Sequence, residues 1–221
     1  MSGCEAVATS SGPRVRAGGT PRSTLIYREN RVTRRLRRTL DVLLAATLLL
    51  LTMPVIAIAC LAIFVEDGGP ILFTQRRAGR FERMFTIYKL RTMRLAACVD
   101  RPSPTNASDD RITRVGRVLR KTSIDELPQL VNVVLGDMAL IGPRPEMPIV
   151  VARYAHWQHL RHLVPPGITG IWQTSCRSTI PLDRPEATAL DLEYIERASP
   201  ALDGLLLLRT VARVVSPKGA Y

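Results

Sequence analysis

An uncharged apolar segment of 24 residues, Val42 to Val65, limits the folds that are open to this chain. As one straight helix it would be about 36 Å long, because an α-helix rises ~1.5 Å per residue. That length is enough to cross a hydrocarbon core of about 30 Å. The segment is too long, and begins too far into the chain, for a secretory signal peptide. The sequence therefore predicts a membrane-embedded segment.

Two features bear on whether this segment spans the bilayer. Pro54 lies at its middle and removes one backbone hydrogen bond from a continuous helix, and Thr52 is placed to bind the backbone group that Pro54 frees. Both ends are flanked by arginines, and positive charge is retained on the cytoplasmic side. The flanking residues are Arg28, Arg31, Arg34, Arg35, Arg37 and Arg38 before the segment, and Arg76, Arg77, Arg80 and Arg83 after it. We expect a re-entrant helix–break–helix hairpin with two arms of about 12 residues, each ~18 Å long. A kinked spanning helix is the alternative.

The chain as a whole is basic, with 31 Lys and Arg against 19 Asp and Glu and a net charge of +12. Such a chain is expected to meet a polyanion, which is nucleic acid, an anionic membrane surface or a phosphorylated substrate. Hydrophobic residues make up 46% of it, which excludes a wholly disordered chain. The four cysteines lie far apart with no CxxC spacing, so neither a disulfide framework nor a cysteine metal site is expected.

Composition divides the chain into three parts. Residues 1–24 are rich in Ser, Gly, Pro, Thr and Arg without periodicity and indicate a disordered basic tail. Residues 25–66 hold the juxtamembrane segment and the hairpin, and residues 67–221 form the main domain. Local patterns in that domain predict a β-strand over Pro70–Thr74, a turn over Arg76–Gly79, a strand or short helix over Phe81–Met93, a helix over Ile112–Val134 interrupted at Pro128, and helices over Ala187–Ala198 and Leu202–Val215. The last of these helices has the composition of one that lies in a membrane interface.

The densest group of charged residues lies between Arg111 and Pro145 and contains the adjacent carboxylates Asp125 and Glu126. Carboxylates beside Arg and Lys suit phosphoryl transfer, because the cations neutralise phosphate charge while a carboxylate attacks phosphorus or holds Mg²⁺. A structural alternative exists, since Ser123 to Glu126 has the S-x-x-E pattern of a helix capping box. Pro128 opposes that alternative and favours a helix that begins at Pro128, with both carboxylates just before it.

Several short pieces of sequence stand in a characteristic order. They are Arg37–Asp41, Pro54, PILFTQRRAG (Pro70–Gly79), YKLRTM (Tyr88–Met93), TSIDELPQL (Thr122–Leu130), GPRP (Gly142–Pro145), PPGITGIWQ (Pro165–Gln173), Arg177, Asp191 and Asp203. Each piece alone is a weak signal, but their ordered succession is specific. From about Arg37 to the C-terminus the chain resembles the bacterial sugar transferase family, the monotopic phosphoglycosyl transferases that start glycan assembly on polyprenol phosphate.

The resemblance implies a fold and a location. It implies an α+β, mainly helical, monotopic membrane protein with a re-entrant helix–break–helix hairpin and a cytoplasmic catalytic domain that carries interfacial amphipathic helices. The protein would act at the cytoplasmic face of the bacterial inner membrane, on a UDP-sugar and polyprenol phosphate. Anionic inner-membrane lipids and downstream glycosyltransferases would be further partners, and nucleic acid would not. Arg38, Asp41 and Pro54 would be structural residues of the hairpin, with Asp41 pairing with an arginine or capping backbone at its mouth.

The resemblance also implies roles in the site. Asp125 would attack the β-phosphate of the UDP-sugar, expel UMP and form an aspartyl–phosphosugar intermediate, which polyprenol phosphate would then resolve. Glu126 would complete the dyad and, with Asp125, hold Mg²⁺. The expected phosphate- and nucleotide-binding residues are Lys89, Arg91, Arg120, Pro143, Arg144, Pro145 and Arg177. Without the resemblance, Lys89 and Arg91 fit equally well as the solvated face of a strand.

The sequence departs from the family pattern at two informative positions. Thr52-Met53-Pro54 replaces a serine directly before the proline, and Cys176 replaces a glycine before Arg177. If that position requires a positive φ, Cys176 would strain the backbone and shift Arg177. Cys176 keeps open an inactive transferase homologue, and the basic composition with the apolar segment keeps open a non-enzymatic basic membrane adaptor. For an active enzyme, UDP-glucose or UDP-galactose is the expected donor, in exopolysaccharide, capsule, O-antigen or glycoconjugate assembly.

Overall fold

The computed structural model describes residues 31–94, 109–175, 180–182 and 184–215. Its first helix, α1 (Arg31–Asp67), is 37 residues long and contains the whole apolar segment. A window of 18 residues in α1 has a mean hydropathy of 2.8, and only 11% of that window is buried within the protein. By length and composition α1 is therefore suited to be a membrane anchor. The basic tail expected over residues 1–24 lies outside the described residues.

The helix α1 continues through Pro54, so the two separate helical arms expected from the sequence are not seen. Pro54 has no amide N–H, and the carbonyl of Leu50 therefore has no helical donor. Thr52 does not replace that donor, because its Oγ1 donates to the carbonyl of Leu48 at 2.7 Å. The role predicted for Thr52 is wrong, since a threonine in a helix bonds back to the carbonyl four residues before it.

The elements after α1 form a mainly helical α+β domain, which confirms the expected fold class at this level. The helices are α2 (Arg114–Thr122), α3 (Gln129–Leu135), α4 (Pro148–Val151), α5 (Ile171–Ser175), α6 (Pro185–Arg197) and α7 (Pro200–Val215). The strands are β1 (Leu72–Ala78), β2 (Met84–Leu90), β3 (Ala139–Ile141) and β4 (Gly167–Thr169). Short 3₁₀ helices cover Arg80–Glu82, Ile124–Glu126 and His156–Leu163. The two helices predicted near the C-terminus are confirmed as α6 and α7.

The described residues of the domain contain two small sheets. The strands β1 and β2 form an antiparallel hairpin, in which Leu72 lies opposite Leu90. The strands β3 and β4 run parallel. The sequence predicts a turn over Arg76–Gly79. That prediction is wrong for Arg76, Arg77 and Ala78, because these three residues continue β1. Arg77 stays in the strand because its side chain is buried and reaches the carbonyl of Pro145 at 3.3 Å.

Both ends of α1 pack on this domain, while the residues between them are largely exposed. Near its N-terminal half, Ala45 is buried in the main core, together with residues of α3 and β3. Near its C-terminal end, Ala59 and Ile63 pack in a second cluster with Leu90 of β2 and Leu119 of α2. The two clusters fix both ends of the anchor helix to the elements around residues 119–133.

The last helix, α7, has one face in the core and one in solvent. Leu206 is fully buried, whereas Leu205, Leu208 and Val211 are 44%, 70% and 61% exposed. An exposed apolar face on a helix that also carries arginines is typical of helices that lie in a membrane interface. The interfacial location of α7 stays a prediction.

Candidate active site

The acidic pair lies in the 3₁₀ helix Ile124–Glu126, between α2 and α3. Ser123 takes a left-handed conformation with φ of 57°, and its N–H closes the last turn of α2. Its side chain makes no capping hydrogen bond, so the capping-box alternative is wrong. Pro128 stands at the N-cap of α3, which agrees with the predicted helix start. Asp125 and Glu126 are therefore confined to a tight connection between two helices, where each is 8% exposed.

Glu126 is the centre of a charged cluster. Its Oε1 accepts hydrogen bonds from Lys89 Nζ at 3.0 Å and from Arg144 Nη2 at 2.7 Å. Arg144 Nη1 lies 3.4 Å from Oε2 of the same carboxylate, so both terminal nitrogens of the guanidinium face it. Lys89 belongs to β2, and Arg144 follows β3. The structure thus brings together four of the predicted site residues, the acidic pair and these two cations.

Burial and mutual attraction set the charge states of the two cations. Burial lowers the pKa of the Lys89 ammonium, and the Glu126 carboxylate opposes that shift. Burial also acts to lower the pKa of Arg144, but the attraction of Glu126 and Asp125 outweighs it and the net shift is upward. Arg144 is therefore a permanently charged group in the site. Two cations thus lie beside two carboxylates in a site that is largely shielded from water.

Arg120 is held at the end of β2, near the strand that carries Lys89. Its Nε donates to Thr92 Oγ1 at 2.8 Å. The helix α2 approaches this point closely because Gly116 has no side chain. A Cβ at Gly116 would lie 2.1 Å from the carbonyl oxygen of Thr92. The glycine therefore positions Arg120 beside the strand that supplies one of the two cations.

Arg91 contacts the end of α1. Its Nη2 donates to the carbonyls of Asp67 at 3.1 Å and Gly68 at 2.8 Å, and lies 3.2 Å from the Asp67 carboxylate. The strand β2 ends at Leu90, so Arg91 does not continue its alternation of side chains. These contacts tie the sheet to the anchor helix. The phosphate-binding role expected for Arg91 stays a prediction.

The N-terminal end of α1 is attached to α3 and β3. Arg38 donates to the carbonyls of Val133 and, at 2.9 Å, of Val134, in the last turn of α3. A cation at this position interacts favourably with the helix dipole. Asp41 accepts the N–H of Leu140 at 3.4 Å. Burial raises the pKa of Asp41, and this hydrogen bond opposes the shift.

The C-terminal end of α1 is attached to α2 by a residue that the sequence did not indicate. The Glu66 carboxylate accepts the backbone N–H groups of Arg114 at 2.7 Å and Val115 at 2.9 Å. These groups lie in the first turn of α2, where an anion is stabilising. The two ends of α1 therefore cap the two helices that flank the acidic pair.

Buried charged residues behind Arg144 were also missed as parts of the site. Arg161 is 2% exposed and Asp191 1% exposed, and Arg161 Nη2 lies 2.6 Å from the Asp191 carboxylate. Glu146 is buried beside them, and its carboxylate lies 3.8 Å from the half-buried Arg77. Asp191 belongs to the ordered motifs, but nothing in its spacing from Arg161 indicates a pair. Arg177 and Cys176 lie outside the described residues.

The acidic pair is the only expected metal site, and its chemistry fits the expected ion. Within the described residues, no group of three or more His, Cys, Asp or Glu side chains is arranged to hold a metal. Mg²⁺ commonly takes one or two protein carboxylates and completes its shell with phosphate oxygens and water. The adjacent carboxylates of Asp125 and Glu126 satisfy that requirement.

The fold and the site define a class of protein, one with an apolar anchor helix and a buried acidic pair beside two cations. A model of the bacterial sugar transferase family matches residues 32–217, and the chain belongs to that family.

Similar proteins support this assignment. The chain is 41% identical over 193 residues to a UDP-glucose:undecaprenyl-phosphate glucose-1-phosphate transferase of Caulobacter vibrioides, which covers 84% of this chain and 72% of that protein. It is 39% identical over 186 residues to an uncharacterized sugar transferase of Bacillus subtilis, at 83% and 89% coverage. It is 33% identical over 206 residues to the undecaprenyl-phosphate galactose phosphotransferase of Salmonella typhimurium, at 86% of this chain but 43% of that protein.

Proposed function

We propose that this protein transfers a sugar-1-phosphate from a UDP-hexose to polyprenol phosphate, of which undecaprenyl phosphate is the expected form. The observation that carries the proposal is the position of Asp125, which lies in a tight turn directly before Glu126. Glu126 in turn binds both Lys89 and Arg144. A buried carboxylate beside two half-buried cations suits nucleophilic attack on a diphosphate, since the cations neutralise charge on the phosphate oxygens.

The reaction would proceed in two displacements at one phosphorus. A carboxylate oxygen of Asp125 attacks the β-phosphorus of the UDP-sugar, and the bond from that phosphorus to the bridging oxygen breaks. UMP leaves with the bridging oxygen, and the sugar phosphate is bound to Asp125 as an acyl phosphate. A phosphate oxygen of the polyprenol phosphate then attacks the same phosphorus. This step releases the Asp125 carboxylate and yields a polyprenyl diphosphate sugar.

The charges of the site support a role for Mg²⁺. The two carboxylates are balanced by Lys89 and Arg144, so the diphosphate of a bound substrate adds negative charge that these residues leave uncompensated. Asp125 and Glu126 would hold Mg²⁺, which would supply that missing positive charge beside the phosphoryl oxygens. Lys89 and Arg120 would bind diphosphate oxygens, and Arg144 would hold Glu126 while contacting the nucleotide phosphates.

The names of two relatives support a hexose donor. The Caulobacter protein is named for glucose and the Salmonella protein for galactose. We propose a hexose donor, either UDP-glucose or UDP-galactose, and a role in starting a bacterial surface glycan.

We further propose that α1 is re-entrant and that both of its ends face the cytoplasm. Arg38 and Glu66, at its two ends, both contact the same domain. In a straight helix these two residues would be about 42 Å apart, at ~1.5 Å per residue. A helix that spans a core of about 30 Å has its ends on opposite sides of the membrane, where one domain cannot bind both. A bend at Pro54 would allow the exposed apolar middle of α1 to enter the bilayer and return.

The covalent mechanism is tested without an acceptor. Purified protein in detergent, given Mg²⁺ and a UDP-hexose, should release one UMP per active enzyme and gain the mass of one phosphosugar. Asp125→Asn should abolish both results, because an amide is a poor nucleophile. Asp110→Asn is the matched control, since Asp110 is an exposed aspartate just ahead of α2. Release of UMP only when polyprenol phosphate is added, with no adduct, would contradict the covalent mechanism. Full transfer by Asp125→Asn would indicate another nucleophile, whereas no UMP release and no transfer by the wild type with any UDP-sugar would favour the non-enzymatic adaptor.

The topology is tested by cysteine labelling in intact cells. Variants with a single cysteine at Ser10 or at Asp110 should both resist a membrane-impermeant reagent and react after permeabilisation. Labelling of the Ser10 position alone would show that α1 spans. Pro54→Ala should move part of the population toward that spanning state, because it restores the missing hydrogen bond.

A further inference from the structure

The segment that carries Arg144 is held through its carbonyl groups. Pro143 and Pro145 have no N–H, so backbone donors on either side of Arg144 are missing. The Pro143 carbonyl accepts the N–H of Gly167 at 2.8 Å. The carbonyl of Arg144 itself accepts from Arg161 Nη2 at 2.8 Å. The peptide plane that follows the Arg144 Cα is therefore oriented by a second arginine.

Arg161 is itself held firmly. It is 2% exposed, its Nη2 lies 2.6 Å from the carboxylate of Asp191, and its Nη1 donates to the hydroxyl of Tyr154. Asp191 is 1% exposed and comes from α6. A planar guanidinium with several donors can bind a carboxylate, a hydroxyl and a carbonyl at the same time, which a lysine ammonium does with much less directional control. Asp191, Arg161 and Arg144 thus form a buried chain that ends at Glu126.

We propose that Arg161, oriented by Asp191, is a positioning residue for Arg144. It fixes the main chain of Arg144 so that the guanidinium meets Glu126 and, in the complex, the phosphates of the UDP-sugar. The inference rests on the proposed function and adds to it two residues, Arg161 and Asp191, that act on the site through Arg144. Displacement of a substrate-binding group by about 1 Å can cost ~10²-fold in rate, so a rotation of the Arg144 peptide is enough to impair the reaction.

A competing explanation is that the Arg161–Asp191 pair only stabilises the fold. The two explanations differ in how variants combine. A residue that acts through Arg144 loses its influence once Arg144 is removed, whereas a purely stabilising residue has the same effect in either background. A double-mutant cycle on Arg161 and Arg144 therefore distinguishes them.

The cycle uses Arg161→Lys, Arg144→Gln and the double variant in the full chain. The readouts are kcat and KM for the UDP-hexose, the acceptor-independent UMP burst, and thermal unfolding by circular dichroism. Arg161→Lys should lower kcat/KM by about tenfold or more. Most of this change should be a rise in KM, because a displaced Arg144 loses contacts to the substrate. In the Arg144→Gln background the same substitution should change kcat/KM by less than about twofold. Equal effects in both backgrounds would overturn the proposal.

The chain offers a closely matched control. Arg37 forms an ion pair with Asp203 at 2.9 Å and donates to the hydroxyl of Tyr194, which repeats the arginine–aspartate–tyrosine arrangement at another place. Arg37→Lys should have the same effect on kcat/KM with or without Arg144. If Arg161→Lys does not fold, Tyr154→Phe removes one bond to Arg161 and should show the same dependence on Arg144, at smaller size.

Failure of the proposed function is separable from failure of this inference. If the wild-type protein releases no UMP from either UDP-hexose, the same double-mutant cycle is carried out with the affinity for UDP, measured by calorimetry, as its readout. Additive losses of UDP affinity would overturn the positioning role while leaving UDP binding intact. Absence of both UMP release and UDP binding in the wild type would overturn both proposals together.

Discussion

Glu126 and Asp191 are both buried carboxylates that bind an arginine, yet their surroundings differ. Glu126 is 8% exposed, and its carboxylate is shared by Lys89 and Arg144. Asp191 is 1% exposed, and its carboxylate binds Arg161 alone among the described cations within ion-pair distance. Burial raises the pKa of Asp191 to about 6, and the attraction of Arg161 only partly opposes the shift.

The difference indicates separate tasks for the two carboxylates. A carboxylate shared by two cations, at the edge of solvent, can exchange part of its interactions for a phosphate or a metal ion. A sealed carboxylate with one arginine has no such exchange available, and its removal leaves a buried charge without compensation. We expect substitutions of Glu126 to affect the reaction first, and substitutions of Asp191 to affect stability as well.

The largest expected effect is that of Glu126→Gln on the reaction. Transfer from a UDP-hexose should fall by about 10³-fold, because the amide neither holds Mg²⁺ nor pairs with Lys89 and Arg144. Raising the Mg²⁺ concentration should restore part of the rate. Steady-state UMP release measures both, and Glu186→Gln, at an exposed glutamate, is the control. Wild-type rates in Glu126→Gln would remove this residue from the site.

The next effect is on stability. Asp191→Asn should lower the free energy of unfolding by about 3 kcal/mol, because it leaves the charge of Arg161 buried and unpaired. Denaturant titration in detergent micelles measures this change. Glu193→Gln, which breaks the exposed pair with Arg197, should change the same quantity by less than about 1 kcal/mol. Equal effects of the two substitutions would show that the Asp191 site is hydrated rather than sealed.

A smaller effect separates two cations that stand two residues apart. Lys89→Gln should raise the KM for the UDP-hexose about tenfold, equivalent to about 1.4 kcal/mol. Arg91→Gln should leave that KM nearly unchanged and lower the thermal stability instead, because Arg91 binds Asp67 and Gly68 at the end of α1. A tenfold rise in KM for Arg91→Gln would support the phosphate-binding role expected from the sequence.

The smallest expected effect is the pH dependence of stability that comes from His162, the residue after Arg161. Burial, and secondarily Arg161, lowers the pKa of His162 to about 4. The unfolded chain binds this proton near pH 6.5 and the folded protein does not, so stability falls as the pH decreases from about 6.5 toward 4. Between pH 7 and pH 6 the loss should be about 0.7 kcal/mol. This loss should appear in the difference in unfolding free energy between the wild type and His162→Gln. The contributions of the other titrating groups are the same in both proteins and cancel in that difference. A difference independent of pH would contradict the assignment.

The parts of this structure that sequence predicts are those with a local signal. The strand β1, the helices α6 and α7 and the acidic pair before Pro128 follow from short-range patterns and from ordered motifs. The prediction failed where a long side chain reached a distant group. The double arginine at Arg76 and Arg77 suggested a turn, but the Arg77 side chain is buried against Glu146, which keeps it in the strand.

The supporting contacts of the site had no local signal at all. Glu66 lies 48 residues before the backbone group of Arg114 that it binds, and Arg161 and Asp191 come from separate elements. No periodicity or spacing relates such residues, because their contacts depend on how α1 packs on α2 and how the 3₁₀ helix His156–Leu163 packs on α6. The sequence therefore indicated the acidic pair and its cations as candidate site residues, but it did not indicate which residues hold them in place.

The attachment of both ends of α1 has a consequence for how the protein is made. The partners of Arg38 follow it by at least 95 residues, so α1 leaves the ribosome well before the helix that receives it exists. During that interval the apolar middle of α1 has no protein surface to cover it, and the lipid bilayer is the available solvent. We therefore expect α1 to enter the membrane before the domain that binds its two ends is complete, so that this domain finishes folding on a helix that is already inserted.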